Sequence, residues 1–115
     1  MGSPHTITLN SLGLMAASGA NPDISDLQVD SRRVAPGCLF AAMPGTKVHG
    51  ANFVEKALAD GAVAVLTDRA GARIAGQAIR AAGAALVISD QPREALARAA
   101  ALWFGGQPKT VVAVT

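Results

Sequence analysis

Two short polar segments carry the residues of this chain that could do chemistry: Asp30-Ser31-Arg32 and Thr46-Lys47-Val48-His49. Both are rich in hydroxyl, cationic and backbone N–H donors, and such donors suit an anionic or strongly polar ligand. A catalytic set is harder to find. The sequence shows no Ser/His/Asp arrangement, no paired carboxylates in a plausible cleft and no Gly-x-x-x-x-Gly-Lys-Ser/Thr phosphate loop. His5 and His49 stand too far from other ligating residues to form a metal site, and the single cysteine, Cys38, sits inside an apolar run as a buried, inert thiol would. The chemistry expected here is binding, with no catalytic and no metal-ligating residue.

The elements that position these segments can be read from the pattern around them. Leu27 and Val29 alternate with polar neighbours as in a half-buried strand, which Asp30 and Ser31 end by offering side-chain bonds to nearby amides. Pro36-Gly37 makes a turn, since proline presets φ and glycine accepts the positive φ that follows in a type II turn. Cys38 to Met43 is a continuous apolar run of strand length, and Pro44-Gly45 breaks it to open the second polar loop. The strand pair 27–29 and 38–43 is expected to run antiparallel, which would make the sheet mixed.

Elsewhere the pattern alternates. Leu9, Leu12 and Met15 lie three apart and suggest a short helix from about Ser11, and residues 18–23 form a loop by composition. Phe53, Val54, Ala57 and Leu58 have helical spacing, with Gly61 placed to end the helix. Ala62 to Leu66 and Ala84 to Ser89 are buried strands, and the weakly patterned stretch between them holds a short helix. Asp90 and Pro92 mark a helix start, with Leu96, Ala99, Ala100, Trp103 and Phe104 on one core-facing side and Glu94 spaced to pair with Arg98. Val111 to Val114 is a last apolar strand. The alternation predicts an α/β fold: a layered mixed, largely parallel sheet with flanking helices.

Bulk properties narrow the partners. At 115 residues the chain is one domain by length. Only four residues are aromatic, and the ten basic residues are dispersed around a formal charge of +2. Neither a stacking platform for bases nor a polybasic stripe is present, so nucleic acid and membrane are not expected partners. One cysteine permits no intrachain disulfide, and no apolar run approaches a membrane span. A soluble protein of the reducing cytoplasm is expected.

The stretch from Val29 to Phe53 resembles the N-terminal domain of the Mur ligases, whose pattern is roughly D-S-R-x-V-x-P-G-x-L-F-x-A-x-x-G-x-x-x-D-G-x-x-F. Asp30, Ser31, Arg32, Val34, Pro36, Gly37, Leu39, Phe40, Ala42, Gly45, Gly50 and Phe53 fall in register, while His49 stands where Asp is usual. The similarity continues through GAVAVLTD, PREALARAAALWFG and the closing VVAVT, and so covers most of the chain. Within the family it is nearest the branch that adds a diamino acid to a UDP-linked muramoyl dipeptide. The neighbouring branch, which adds D-alanyl-D-alanine, is an alternative, and a stand-alone nucleotide-sugar-binding module is another.

The resemblance implies that residues 1–109 form a UDP-substrate-binding domain. Residues 110–115 would be the first strand leading into a missing ATP-binding central domain, followed by a C-terminal domain. It implies that Ser31 donates to the substrate diphosphate, that Val29 lines the nucleotide pocket, and that Thr46, Lys47 and Val48 contact the uridine. Arg32 is either a phosphate clamp or the salt-bridge partner of Asp30, and Arg33 a solvated charge. ATP and Mg²⁺ are implied for the full-length enzyme in peptidoglycan synthesis, with no cofactor in this piece and no catalysis by it alone.

Overall fold

The structure, a computed structural model, describes residues 6–45 and 49–105. Thr46, Lys47 and Val48, the strand expected at Val111 to Val114 and the boundary expected at residue 110 lie outside the described residues. Four strands form a parallel sheet in the order β3-β4-β5-β6: β3 (Asp26–Gln28), β4 (Cys38–Ala42), β5 (Ala64–Thr67) and β6 (Ala85–Ile88). Three helices flank it, α1 (Val54–Ala59), α2 (Arg69–Ala82) and α3 (Pro92–Gly105). A separate antiparallel pair, β1 (Ile7–Thr8) with β2 (Asp23–Ile24), ties the N-terminal segment together.

Each strand sends alternate side chains to opposite faces, and these make two cores. Leu39, Ala41, Leu66 and Val87 pack with Leu9, Leu12, Ile24, Ala99 and Trp103 on the α3 side. Cys38, Phe40, Val65 and Leu86 pack with Val34, Val54, Ala57, Ala75 and Ile79 on the side of α1 and α2. All five residues of β4 are buried. That explains its unbroken apolar run, since a strand covered on both faces has no solvent side to alternate toward.

The α/β class and the flanking helices agree with the sequence reading. The direction of β3 against β4 does not: they pair in parallel, Asp26 opposite Cys38 and Gln28 opposite Phe40. The chain manages this over residues 29–37 by folding the return over the sheet. A 3₁₀ turn at Ser31–Arg33 reverses it, and Val34 is buried in the core beneath α1. The turn at Ala35–Cys38 then closes with the Cys38 N–H donating to the Ala35 carbonyl (3.1 Å), Gly37 taking φ +87° as its type requires.

Other elements refine the pattern. The helix expected from Ser11 is a single 3₁₀ turn, Asn10–Leu12, and Met15 points to solvent. The weakly patterned stretch is a full helix, α2. Asp68 caps it by accepting from the Gly71 N–H (2.8 Å), and Gly83 closes it in the left-handed conformation. Its buried face is built mostly of small residues, Gly71, Ala75 and Gly76 beside Ile79, and one of the glycines is required: a Cβ on Gly71 would drive into the Thr67 hydroxyl and lie 2.8 Å from His49 Cε1. Phe104 is 67% exposed and belongs to no core, whereas Trp103 one position earlier is buried. Adjacent helical residues point about 100° apart, so a helix edge can bury one and expose the next.

Candidate functional site

In a parallel sheet, loops that follow neighbouring strands leave from the same edge, and the C-terminal edge is where α/β folds bind ligands. Here the loops after β3 and β4 share that edge. They enclose a cleft of about 690 Å³ bordered by Val29, Ser31, Arg32, Pro44, Gly45 and Phe53, with Phe40 and Met43 at its base and Lys56 on its rim. Of the five site residues expected from sequence, Val29 and Ser31 are brought together in this cleft, and Thr46, Lys47 and Val48 lie outside the described residues.

The Ser31 side is built by a carboxylate. Asp30 ends the strand and caps the following turn, its Oδ1 accepting from the Arg32 N–H (2.9 Å). Its two oxygens also take the Arg32 guanidinium as a fork, Nε to Oδ1 and Nη2 to Oδ2, both at 3.0 Å. Arg32 is thus the ion-pair partner of Asp30, and the pair holds the Asp30 carboxyl down at about 2, through the Arg32 side-chain bond first and its backbone N–H second. The Ser31 hydroxyl has no hydrogen-bond partner among the described residues. A hydroxyl left free on a cleft wall can donate to an incoming oxygen with little entropy to lose.

The opposite wall is built from the chain after β4. The Gly50 N–H donates to the Met43 carbonyl (2.7 Å) and draws the two ends of the second loop together. Gly50 is needed at that crossing, because a Cβ there would lie 2.7 Å from the Met43 backbone nitrogen. Arg93 of α3 donates to the Pro44 carbonyl (3.0 Å) and pins the strand exit from the other face. The 3₁₀ turn Gly50–Phe53 then runs into α1 and presents Phe53 to the cleft. Val29 and Phe53 are 59% and 48% exposed, so the cleft offers apolar surface beside its polar groups. Lys56 is engaged by Asp60 at 2.6 Å, one turn further along α1.

His49 is the residue whose role the sequence leaves open. Its Nδ1 accepts from the Ala51 N–H (2.9 Å), capping the Gly50–Phe53 turn, and its Nε2 lies 2.8 Å from Asp68 Oδ1. With Nδ1 accepting, the ring proton sits on Nε2 and is donated to Asp68. Burial pushes the Asp68 carboxyl up, but the Gly71 N–H and the His49 ring more than offset this and leave it below its ordinary value. One signal for this role was in the chain: His49 holds the cap position ahead of a helical run, where Asp, Asn, Ser or Thr would be usual. Arg93 and Lys56 carried no comparable signal for this region.

Cys38 is fully buried and its thiol is pushed up to about 11 by burial, as expected of an inert core cysteine. Among the described residues no three His, Cys, Asp or Glu side chains gather as metal ligands. No helix of the described residues is long and apolar enough to cross a membrane.

Comparison with known proteins agrees with the resemblance. A family profile described as "Mur ligase family, catalytic domain" matches residues 23–104. The UDP-N-acetylmuramoyl-L-alanyl-D-glutamate--2,6-diaminopimelate ligase of Caulobacter vibrioides is 44% identical over 95 residues, covering 83% of this chain and 18% of its own length. The enzymes of the same name from Streptomyces coelicolor and Zymomonas mobilis are 45% and 38% identical over 94 and 114 residues. They cover 82% and 94% of this chain. The chain spans about a fifth of the length of these curated relatives, 18% and 22% for the last two. Among solved structures, "Crystal structure II of MurF from Acinetobacter baumannii" superposes with a TM-score of 0.64 over 87% of this chain and 21% of that one. At 22% identity it speaks for the fold. With the profile spanning residues 23–104 and relatives at 38–45% identity over 82–94% of the chain, this chain belongs to the Mur ligase family.

Proposed function

We propose that this domain, residues 1–109, holds the UDP end of UDP-N-acetylmuramoyl-L-alanyl-D-glutamate for an ATP-dependent ligase of peptidoglycan synthesis. The amino acid added is meso-diaminopimelate, a reading supported by the 38–45% identity to ligases of that name. The D-alanyl-D-alanine-adding branch is an alternative with a similar fold, but the three superposed structures from Acinetobacter baumannii are only 21–22% identical to this chain. The observation that carries the binding role is the cleft at the C-terminal edge of β3 and β4, where the Ser31 hydroxyl, unpartnered among the described residues, stands beside exposed Val29 and Phe53.

In this reading Ser31 donates to a diphosphate oxygen, Val29 lines the nucleotide pocket, and Thr46, Lys47 and Val48 contact the uridine. Residues 110–115 lead into an ATP-binding central domain. ATP and Mg²⁺ supply the phosphorylation that activates the terminal carboxylate for attack by the diamino acid. The described residues contain neither a phosphate loop nor a cluster of metal ligands, so no step of that chemistry is assigned to them. The domain contributes by binding the substrate far from its reacting carboxylate, energy that serves to position that carboxylate elsewhere in the enzyme. The site of action is the cytoplasm.

Calorimetric titration of the chain with UDP, and separately with UDP-N-acetylmuramoyl-L-alanyl-D-glutamate, tests this. Saturable binding that weakens about tenfold in Ser31→Ala is expected, the loss of one hydrogen bond to a charged acceptor. Wild-type binding unaltered by the substitution would refute the role of Ser31.

A further inference from the structure

The cleft wall that carries Phe53 is held by an imidazole, and that has a chemical consequence. His49 makes one bond as an acceptor, from the Ala51 N–H to Nδ1, and one as a donor, from Nε2 to Asp68 Oδ1 (2.9 and 2.8 Å). The first caps the Gly50–Phe53 turn, and the second reaches the carboxylate that caps α2 through the Gly71 N–H (2.8 Å). One ring thus ties together the starts of two consecutive helical segments. The same turn feeds directly into α1, which begins at Val54 and brings Lys56 to the cleft rim.

A neutral Nε2–H imidazole satisfies both bonds. A second proton would have to go on Nδ1, where it would face the Ala51 N–H, donor against donor. On protonation the Asp68 bond gains charge assistance (Nε2 to Oδ1, 2.8 Å), while the Nδ1 cap becomes a repulsion, so it is the turn at Gly50–Phe53 that loses its support. We propose that His49 is a positioning residue for the cleft, holding the Gly50–Phe53 turn in its neutral form, so that proton uptake by its ring and ligand binding in the cleft oppose each other.

Among the described residues, the surrounding charges leave this to His49 and Asp68. Lys56 of α1 is taken by Asp60, Arg69 of α2 by Asp90 (3.2 Å), and Arg73 is exposed to solvent. Glu55 borders a separate hollow with Asn52 and Ile74. Gly71 of α2, which lies against the ring, carries no charge.

The identity of the ligand in this inference rests on the proposed nucleotide role, so two measurements separate the two. In the first, UDP is titrated calorimetrically into wild type and His49→Asn between about pH 5 and about pH 8, the span in which imidazoles change charge. Asparagine offers an oxygen where Nδ1 stood and does not titrate. The UDP phosphate also takes up a proton in this range, but equally for both proteins. Wild-type affinity should fall about three- to tenfold more steeply toward low pH than that of the variant, the scale of losing one helix cap. Parallel pH profiles overturn the proposal.

The second measurement needs no ligand. Imidazole nitrogen NMR of the wild-type protein should show the Nε2–H tautomer, and the Ala51 and Phe53 amides should shift with the midpoint of the His49 ring. An Nδ1–H ring, or a Phe53 amide indifferent to that titration, overturns the positioning role. If UDP binds at no pH, the nucleotide reading falls, and the spectra still decide whether His49 governs this wall.

Discussion

Gly71→Ala, a change that raises helix propensity, should destabilise this protein. In an exposed helix interior the substitution gains up to about 1 kcal/mol. At position 71 the new methyl would collide with the Thr67 hydroxyl and lie 2.8 Å from His49 Cε1. Thr67 cannot simply turn away: it is fully buried, and its Oγ1 donates to the Ala42 carbonyl at 2.9 Å. Crowding of this kind costs about 1–3 kcal/mol, and surrendering the Thr67 bond adds about 1 kcal/mol. The net loss is therefore about 1–3 kcal/mol, or about 4–12 °C in melting temperature for a chain of this size. Chemical and thermal denaturation followed by circular dichroism would measure it. A double-mutant cycle with Thr67→Ala sharpens the test, because removing the hydroxyl should cancel the part of the cost that its clash with the added methyl causes, leaving the approach to His49 Cε1. A melting temperature unchanged or raised in Gly71→Ala, or an undiminished cost in the Thr67→Ala background, would refute the packing argument.

Two further outcomes are expected. Asp30 titrates at about 2 in the folded protein, lowered from 3.8 by Arg32, so its contribution to stability is present above about pH 4 and fades as pH falls toward about 2. Asp30→Asn keeps a capping oxygen but no charge, and the difference in urea midpoint between it and wild type should shrink from pH 6 to pH 3; a difference that grows on acidification contradicts the ion pair. Cys38, buried and with its thiol raised to about 11, should react with a thiol-specific reagent at neutral pH only as fast as the protein opens. Rapid stoichiometric labelling of the native protein would show that the strand β4 is not enclosed on both faces.

Much of the architecture was legible because it is locally encoded. The Ala35–Cys38 turn follows from the dihedral limits of Pro36 and Gly37, which hold whatever surrounds them. The apolar runs of β4, β5 and β6, and the face of α3 that carries Leu96, Ala99 and Trp103, follow from period alone. Asp30 as a strand-ending cap, and the Glu94–Arg98 pair at 3.7 Å, needed only neighbours within four residues. The motif around Ser31 likewise named the two segments to watch, since the residue types that donate to an anion are visible without a fold.

What the sequence by itself determined, then, was the four strands of the main sheet and the helices that flank it, the class of the fold and the residue types at the two loops, but not the β1–β2 pair or the 3₁₀ turn at Asn10–Leu12. The tertiary structure decided how they meet. Whether β3 and β4 run parallel depends on where residues 29–37 travel, and that is settled by burying Val34 under α1 rather than by any turn propensity. An antiparallel pair would have sent Ser31 and Pro44-Gly45 to opposite edges of the sheet; the parallel pair puts them on one cleft. His49 and Asp68 are nineteen residues apart, and only packing of α2 against the Gly50–Phe53 turn makes them partners. Local sequence limits the conformations of a few neighbouring residues, whereas a shared edge or a distant ion pair exists only once apolar faces have chosen what to cover.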